Sequence, residues 1–393
     1  MLSLAVLVSC SGNQGTPAAS TAVDSSSGLA NPEVGLRMAD AVTVYLATNA
    51  DHPPVALWVT PDRVMAAEID LDAGELAGES EVSGGIAPFA HPIERPAAVV
   101  SADGEVTIAF IGSGGDGESV HLTRWDRRAA TPPMQVSGPP RPETVLVHAT
   151  NDPGGEPLLS WLEDSTLSVG SSQGGTMVEE ENVDDLTCDC CNPAPISVGD
   201  SLLVAFRDLE HVDGGVVRDV VATSRTVSGW TETVPIADDH WFIDACPFSG
   251  PSAVETGERL VVAWMDARQS VHPNQAGTTI WVDRSDDAGV TFGNDLAVTD
   301  EGIHRWPVMA VDEAGTIHLV WETQGAEGGL SYATSDDGGR SFSDPVLLVE
   351  RDADAGSPTS PSVIVHEGRL LVSWADGTDG HVALWTIGEN QAR

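Results

Sequence analysis

The chain has 393 residues, of which 41% are hydrophobic, enough for a packed core and too many for wholesale disorder. Acidic residues number 60 against 18 basic ones, all of them arginine, giving a formal net charge of −42. So negative a surface repels nucleic acid and anionic lipid headgroups and suits solubility at high ionic strength, but it does not define a function.

The N-terminal run Met1–Ser9 is short and apolar and ends in Leu7-Val8-Ser9-Cys10. It resembles a bacterial lipobox, although the basic segment that opens a signal peptide is missing. The resemblance implies a lipoprotein-type signal over 1–10, with Cys10 as the lipidated residue. Residues 11–40, rich in Ser, Gly, Ala and Thr, then read as a disordered tether. No later run approaches the length of a membrane span, so lipid is the only membrane attachment expected. The body of the chain is expected outside the cytoplasm, in the periplasm or on the outer membrane of a bacterial envelope.

From about residue 41 onward, short β-branched runs alternate with Gly, Asp and Pro turns, and no helix-period segment intervenes. One type of run recurs at 55–59, 106–110, 158–161, 202–206, 260–264, 317–321 and 370–374, each ending on or next to an aromatic residue. The period of roughly fifty residues is that of propeller blades. Six units are clear, at about 95–140, 141–180, 192–237, 247–299, 303–348 and 358–393, with a weaker seventh at about 41–85. The last lacks an outer strand, which Val42–Ala47 is expected to supply by closing the ring. The fold class is therefore all-β, a propeller over 41–393 built of four-stranded antiparallel blades. Seven blades are favoured, with six plus an N-terminal extension as the alternative.

Within this series, Ser285–Phe292 reads S-D-D-A-G-V-T-F, and S-D-D-G-G-R-S-F follows fifty residues later at Ser335–Phe342. Gly289 and Gly339 permit a positive φ, Asp287 and Asp337 accept bonds from the turn's own amides, and Phe292 and Phe342 anchor the returning strand. Ser285 and Ser335 open the two copies. The pattern resembles the Asp-box of the sialidase-like (BNR-repeat) β-propellers, where it closes the hairpin between a blade's outer strands. Third-to-fourth turns share a face with first-to-second turns. The hairpins are thus scaffold, and binding residues are expected on the opposite face, with the long loops and inter-blade links.

Two of those links carry cysteines: Cys188, Cys190 and Cys191 in T-C-D-C-C-N-P, and Cys246 in D-A-C-P. Two readings stand: a pair of disulfides pinning the loops, or a thiolate site for Cu or Zn with His240 and Asp189 as further ligands. Together with Arg207-Asp208, these motifs resemble one exported bacterial branch of the sialidase-like group.

With so few cations, their positions carry information. Arg95, Arg207, Arg268 and Arg305 fall next to the links or after second strands, where they are expected to bind a carboxylate or sulfate, with Trp306 stacking on a sugar. Asp208, Glu210 and Asp266 are candidate catalytic carboxylates. The sialidase resemblance implies three arginines on a sugar acid and a tyrosine nucleophile. Yet Tyr332 falls in a third strand, and Tyr45 in a closing or first strand. The expected function is a lipid-anchored propeller that binds a ligand, an acidic glycan or a protein, without hydrolysis. The alternatives are a sialidase-type hydrolase and a thiolate metal-binding protein.

Overall fold

The computed structural model describes residue 29 and residues 32–387, apart from 143, 174–175, 214, 238, 244, 258, 269–276, 301 and 352–355. The lipobox with Cys10 and most of the expected tether lie outside the described residues.

Seven antiparallel sheets follow one another around a ring. Blade 1 consists of Thr43–Asn49, His52–Val59, Val64–Asp70 and Glu75–Glu81. Blade 2 runs from Ala97–Val100 to Met134–Gln135, and blade 3 from Thr144–Asn151 to Thr176–Asp184. Blade 4 runs from Ala194–Val198 to Val234–Pro235, blade 5 from Ser252–Thr256 to Leu296–Ala297, and blade 6 from His304–Val311 to Val346–Glu350. Blade 7 takes three strands from the C-terminal end, Thr359–His366, Arg369–Ala375 and Asp379–Thr386. No helix occurs among the described residues, so none is long and apolar enough to cross a membrane.

The fourth strand of blade 7 is β1, Val34–Ala39, paired antiparallel with Asp379–Thr386. Closure by strands from both parts of the chain therefore holds, but with a different strand from the expected Val42–Ala47, of which residues 43–47 lie in the first strand of blade 1. β1 alternates as an outer strand does. Leu36 and Met38 are buried between blades 7 and 1, while Arg37 turns outward to Asp379. Residues 34–39, within the stretch read as tether, are thus part of the propeller.

The hydrophobic core is not central. It is divided into seven clusters, one at each junction between adjacent blades, as the cluster joining Leu203, Val220 and Ala222 to Leu260, Val262 and Trp264 shows for blades 4 and 5. Second-strand residues dominate these clusters because those strands are covered on both faces, which explains their near-continuous apolar runs. Both S-x-D-x-G hairpins join third to fourth strands. Their glycines have φ of 85° and 82°, and Phe292 and Phe342 pack into the junctions with the preceding blade.

Candidate functional site

The first strand of each blade faces the ring's axis, so its outward amides have no ladder partner and must be satisfied otherwise. Neighbouring blades supply the acceptors. Ser362 Oγ accepts from the Leu46 amide at 3.2 Å, Ser252 Oγ from Met309 at 3.1 Å, and Glu94 Oε2 from Leu146 at 2.8 Å. Five of the seven strands have a residue–proline pair just before or within their first residues: Arg95-Pro96, Asn192-Pro193, Gly250-Pro251, Trp306-Pro307 and Ser360-Pro361. A proline there removes one amide that would face the channel. In blades 3, 6 and 7 the register shifts at this point, with Leu146, Trp306 and Ser360 at φ of 58°, 51° and 51°. Bulges of this kind re-aim side chains near the end of a strand.

Between these entries lies a cavity of about 200 Å³ at the long-loop mouth of the channel, lined by Tyr45, Arg95, His148, Asn192, Trp306 and Ser362 among others. Arg95 reaches across the mouth, donating from Nη1 to the Pro361 carbonyl at 2.7 Å, and is the one arginine lining the cavity among the described residues. Tyr45, Arg95 and His148 sit deep in the ring but keep surface open to the cavity. Burial raises the Tyr45 pKa, an effect that the charge of Arg95 opposes. Burial, and then Arg95, lowers that of His148 to about 4, leaving a neutral imidazole at pH 7 whose Nδ1 has no partner. Glu94 behind them is pushed up to about 8, chiefly by burial, and is protonated at neutral pH. Trp306 is fixed by its indole N–H on the Phe248 carbonyl and its amide on Ser249 Oγ at 3.1 Å.

The other arginines do not converge on this cavity. Arg207 is buried and donates to the carbonyls of Arg218, Ser249 and Met265, stacking over Trp241 at 5.0 Å. It ties blade 4 to blade 5. Arg268 lies among Asp266, Asp239 and Asp295, 4.2 Å over the Trp281 ring. Asp266 is itself buried and also accepts from the Trp264 indole at 3.0 Å, which makes it part of that ion cluster. Arg305 is half-buried and pairs in register with Glu322, whose pKa burial raises to about 7. Glu210 is exposed on an extra hairpin, Glu210–Val212 with Gly215–Val217, and Asp208 lies at its base, its pKa raised by burial and then by Asp184. Tyr332 is buried against His318 in a third strand, away from the channel. A second hollow of about 320 Å³ lies between blades 7 and 1 on the hairpin face, lined by His52, Glu68 and His366 and by no arginine.

The cysteines do meet. Cys188, Cys190 and Cys191 are buried, with all three Sγ atoms within 4.8 Å of one another. Cys188 Sγ is 3.6 Å from Cys190 Sγ and 2.7 Å from Cys191 Sγ. A second group of potential ligand atoms joins Asp189, Cys190 and the exposed Cys246. All four thiols are free. Either group offers donors for a soft metal, and His240 belongs to neither; its amide donates to Asp219 instead. Two arginines flank the thiols, with Arg218 Nη1 3.1 Å from Cys188 Sγ and the Arg207 carbonyl accepting from the Cys188 amide at 2.8 Å.

Tyr45, His148, Glu94 and Arg218 were not singled out as site residues by motif. The repeated residue–proline entry is the signal that marks the channel lining. Nothing local marks Arg218.

No family model matches the chain, and no curated protein matches it. Solved structures do. A PL25 ulvan lyase aligns over 92% of this chain and 96% of its own, with 13% identity and a TM-score of 0.60. The polysaccharide lyase Uly1 aligns over 91% and 100%, with 10% identity and a TM-score of 0.55. Domains 1–2 of Drosophila semaphorin 1a align over 91% and 88%, with 12% identity and a TM-score of 0.51. At these identities the likeness is one of fold alone.

Proposed function

We propose that this protein binds an acidic glycan in the channel mouth, with Arg95 anchoring a carboxylate or sulfate. The observation that carries the reading is one cavity holding a guanidinium beside a tyrosine, an imidazole and a tryptophan. Among the described residues, the Pro361 carbonyl is the one hydrogen-bond acceptor of Arg95, so most of its donor fork is available to a ligand. The rings of Tyr45 and Trp306 offer flat surfaces to a sugar face. The polysaccharide lyases of the same fold support the choice of ligand class. Three-arginine recognition of the sialidase type is not supported, because Arg207 and Arg268 are engaged elsewhere. The chain is further proposed to act outside the cytoplasm, held by lipid at Cys10, which membrane fractionation of a Cys10→Ser variant tests.

The test is titration calorimetry against sulfated and uronate polysaccharides. Binding at micromolar or better affinity is expected, falling about 30- to 100-fold in Arg95→Gln, the size of one lost charge-assisted contact. Unchanged affinity in a folded Arg95→Gln protein rejects the site. A second reading is processing of the same ligand. Neutral His148 and Tyr45 stand beside the cation that would neutralise a uronate carboxylate, an arrangement fitted to proton transfer next to that group. Appearance of the ultraviolet absorbance of an unsaturated uronate separates processing from simple binding.

A further inference from the structure

We infer that Cys188, Cys190 and Cys191 form a three-thiolate site for a thiophilic d¹⁰ cation, Cu(I) or Zn(II), with Cys246 at its entrance. The site stands apart from the glycan reading and does not depend on it.

Three thiols from four consecutive residues are buried together, and their one partly buried hydrophobic neighbour is Leu209. The Cys188–Cys190 separation of 3.6 Å is close to the spacing of about 4 Å that two sulfurs adopt when each is about 2.3 Å from one ion. The Cys188–Cys191 pair, at 2.7 Å, has to part by about 1 Å to admit the ion.

Two arginines stand beside the thiols. Arg218 places a guanidinium nitrogen 3.1 Å from Cys188 Sγ. The Arg207 backbone is bonded to Cys188, and Arg207 and Arg218 each carry a buried Nε–H without an acceptor. The nearby carboxylate of Asp219 is engaged by the amides of His240 and Trp241. Thiolates bound to one cation would place negative charge beside both guanidiniums.

Access comes from the solvent side. Cys246 is exposed, and its Sγ and a carboxylate oxygen of Asp189 lie within 4.8 Å of Cys190 Sγ. A cation arriving at Cys246 can pass to Cys190 without leaving sulfur, and Cys246 or Asp189 can complete a fourth position for Zn(II).

The geometry also pairs the cysteines differently, as Cys188 with Cys191 and Cys190 with Cys246, so the experiment must separate metal from disulfides. The full chain is reduced under anaerobic conditions. It is then loaded with Zn(II) or Cu(I) against a competing chelator and characterised by elemental analysis, alkylation of free thiols and thermal unfolding. One ion per chain with at least three thiols protected is expected, and the tighter of the two ions identifies the occupant. Arg218→Gln is expected to weaken binding about 10- to 100-fold while the metal-free protein stays folded and loses no stability. Cys188→Ser is expected to abolish binding, and Cys246→Ser to retain the ion but load it more slowly. The inference is overturned if the reduced, folded chain binds neither ion or if Arg218→Gln leaves affinity within twofold. Isolation from an oxidising compartment with two intact disulfides and no metal overturns it as well.

Discussion

The two faces of the ring are built on opposite principles. On one, the hairpins at 285–292 and 335–342 satisfy themselves. Ser285 donates to Asp287 at 2.7 Å, and Asp287 accepts from the amide and hydroxyl of Thr291 at 2.8 and 2.6 Å. Ser335, Asp337 and Ser341 repeat the arrangement. On the other face, Arg95 bonds a carbonyl 266 residues away and Trp306 one 58 residues away. The first face is written into eight residues. The second exists only once the ring has closed.

The largest effects are expected where the local motif meets the ring. A Cβ added at Gly289 would stand 2.1 Å from Leu203 Cδ2 in the junction with blade 4, at a φ of 85°. Gly289→Ala is therefore expected to cost about 3 kcal/mol, from left-handed strain and overpacking together. At Gly339 the nearest atom is Val261 Cγ1, at 3.0 Å, and a smaller cost of about 2 kcal/mol is expected from the same two causes. Chemical denaturation of both variants checks this. Equal losses would mean that the hairpins do not act as seals between blades.

Across the ring, Arg95→Gln is expected to reverse the pattern. It should weaken ligand binding about 30- to 100-fold and change stability by less than about 1 kcal/mol, since a single bond to a carbonyl is lost. Comparable loss of stability and binding would make Arg95 a strut like Arg207.

This contrast also explains what could be read from the sequence. The recurring second strands gave seven units because their apolar runs are dictated by two-sided burial at the junctions. The S-x-D-x-G hairpins could be read because every partner lies within the motif. The four arginine candidates looked alike because each sits beside a link, but what separates them is non-local. Arg207 faces three carbonyls and Arg268 three carboxylates, whereas Arg95 faces the cavity. Tyr45 was ambiguous for the same reason: whether Val34–Ala39 or Val42–Ala47 closes blade 7 decides whether Tyr45 lines the channel. The pairing of β1 with Asp379–Thr386 decides it, because it leaves Thr43–Asn49 as the axial strand of blade 1. The cysteines were readable as a cluster, because two links one blade apart share a face, but the arginine beside them was not.

Glu94 gives the channel face a dependence on pH. Its folded pKa of about 8 stands above the ordinary 4.5, so the folded chain retains a proton that the unfolded chain has released. Stability must then fall as pH rises from about 4.5 to about 8, with no further loss above. Glu94→Gln keeps an acceptor for the Leu146 amide and removes the titration. A gain of about 4 kcal/mol at pH 8 and almost none at pH 4 is expected, read from unfolding midpoints across that range. A pH-independent difference would assign the effect to packing.

The hairpin face should show the opposite sign at smaller size. Bonds from Thr291 and Ser285 hold the Asp287 carboxyl below its ordinary value, so its contribution is present above the unfolded pKa and is lost as pH falls through the folded one. Because the side chain is exposed, solvent screens the charge, and the loss in Asp287→Ala is about 1 kcal/mol near pH 7, the worth of its hydrogen bonds. The gap between variant and wild type should narrow below pH 4, where the Glu94→Gln difference has vanished too. The two substitutions thus move apart only as the solution becomes neutral, one gaining and the other losing. A hairpin whose loss of Asp287 were insensitive to acid would be held by its glycine and phenylalanine alone, and the carboxylate would then be a surface group rather than the centre of the turn.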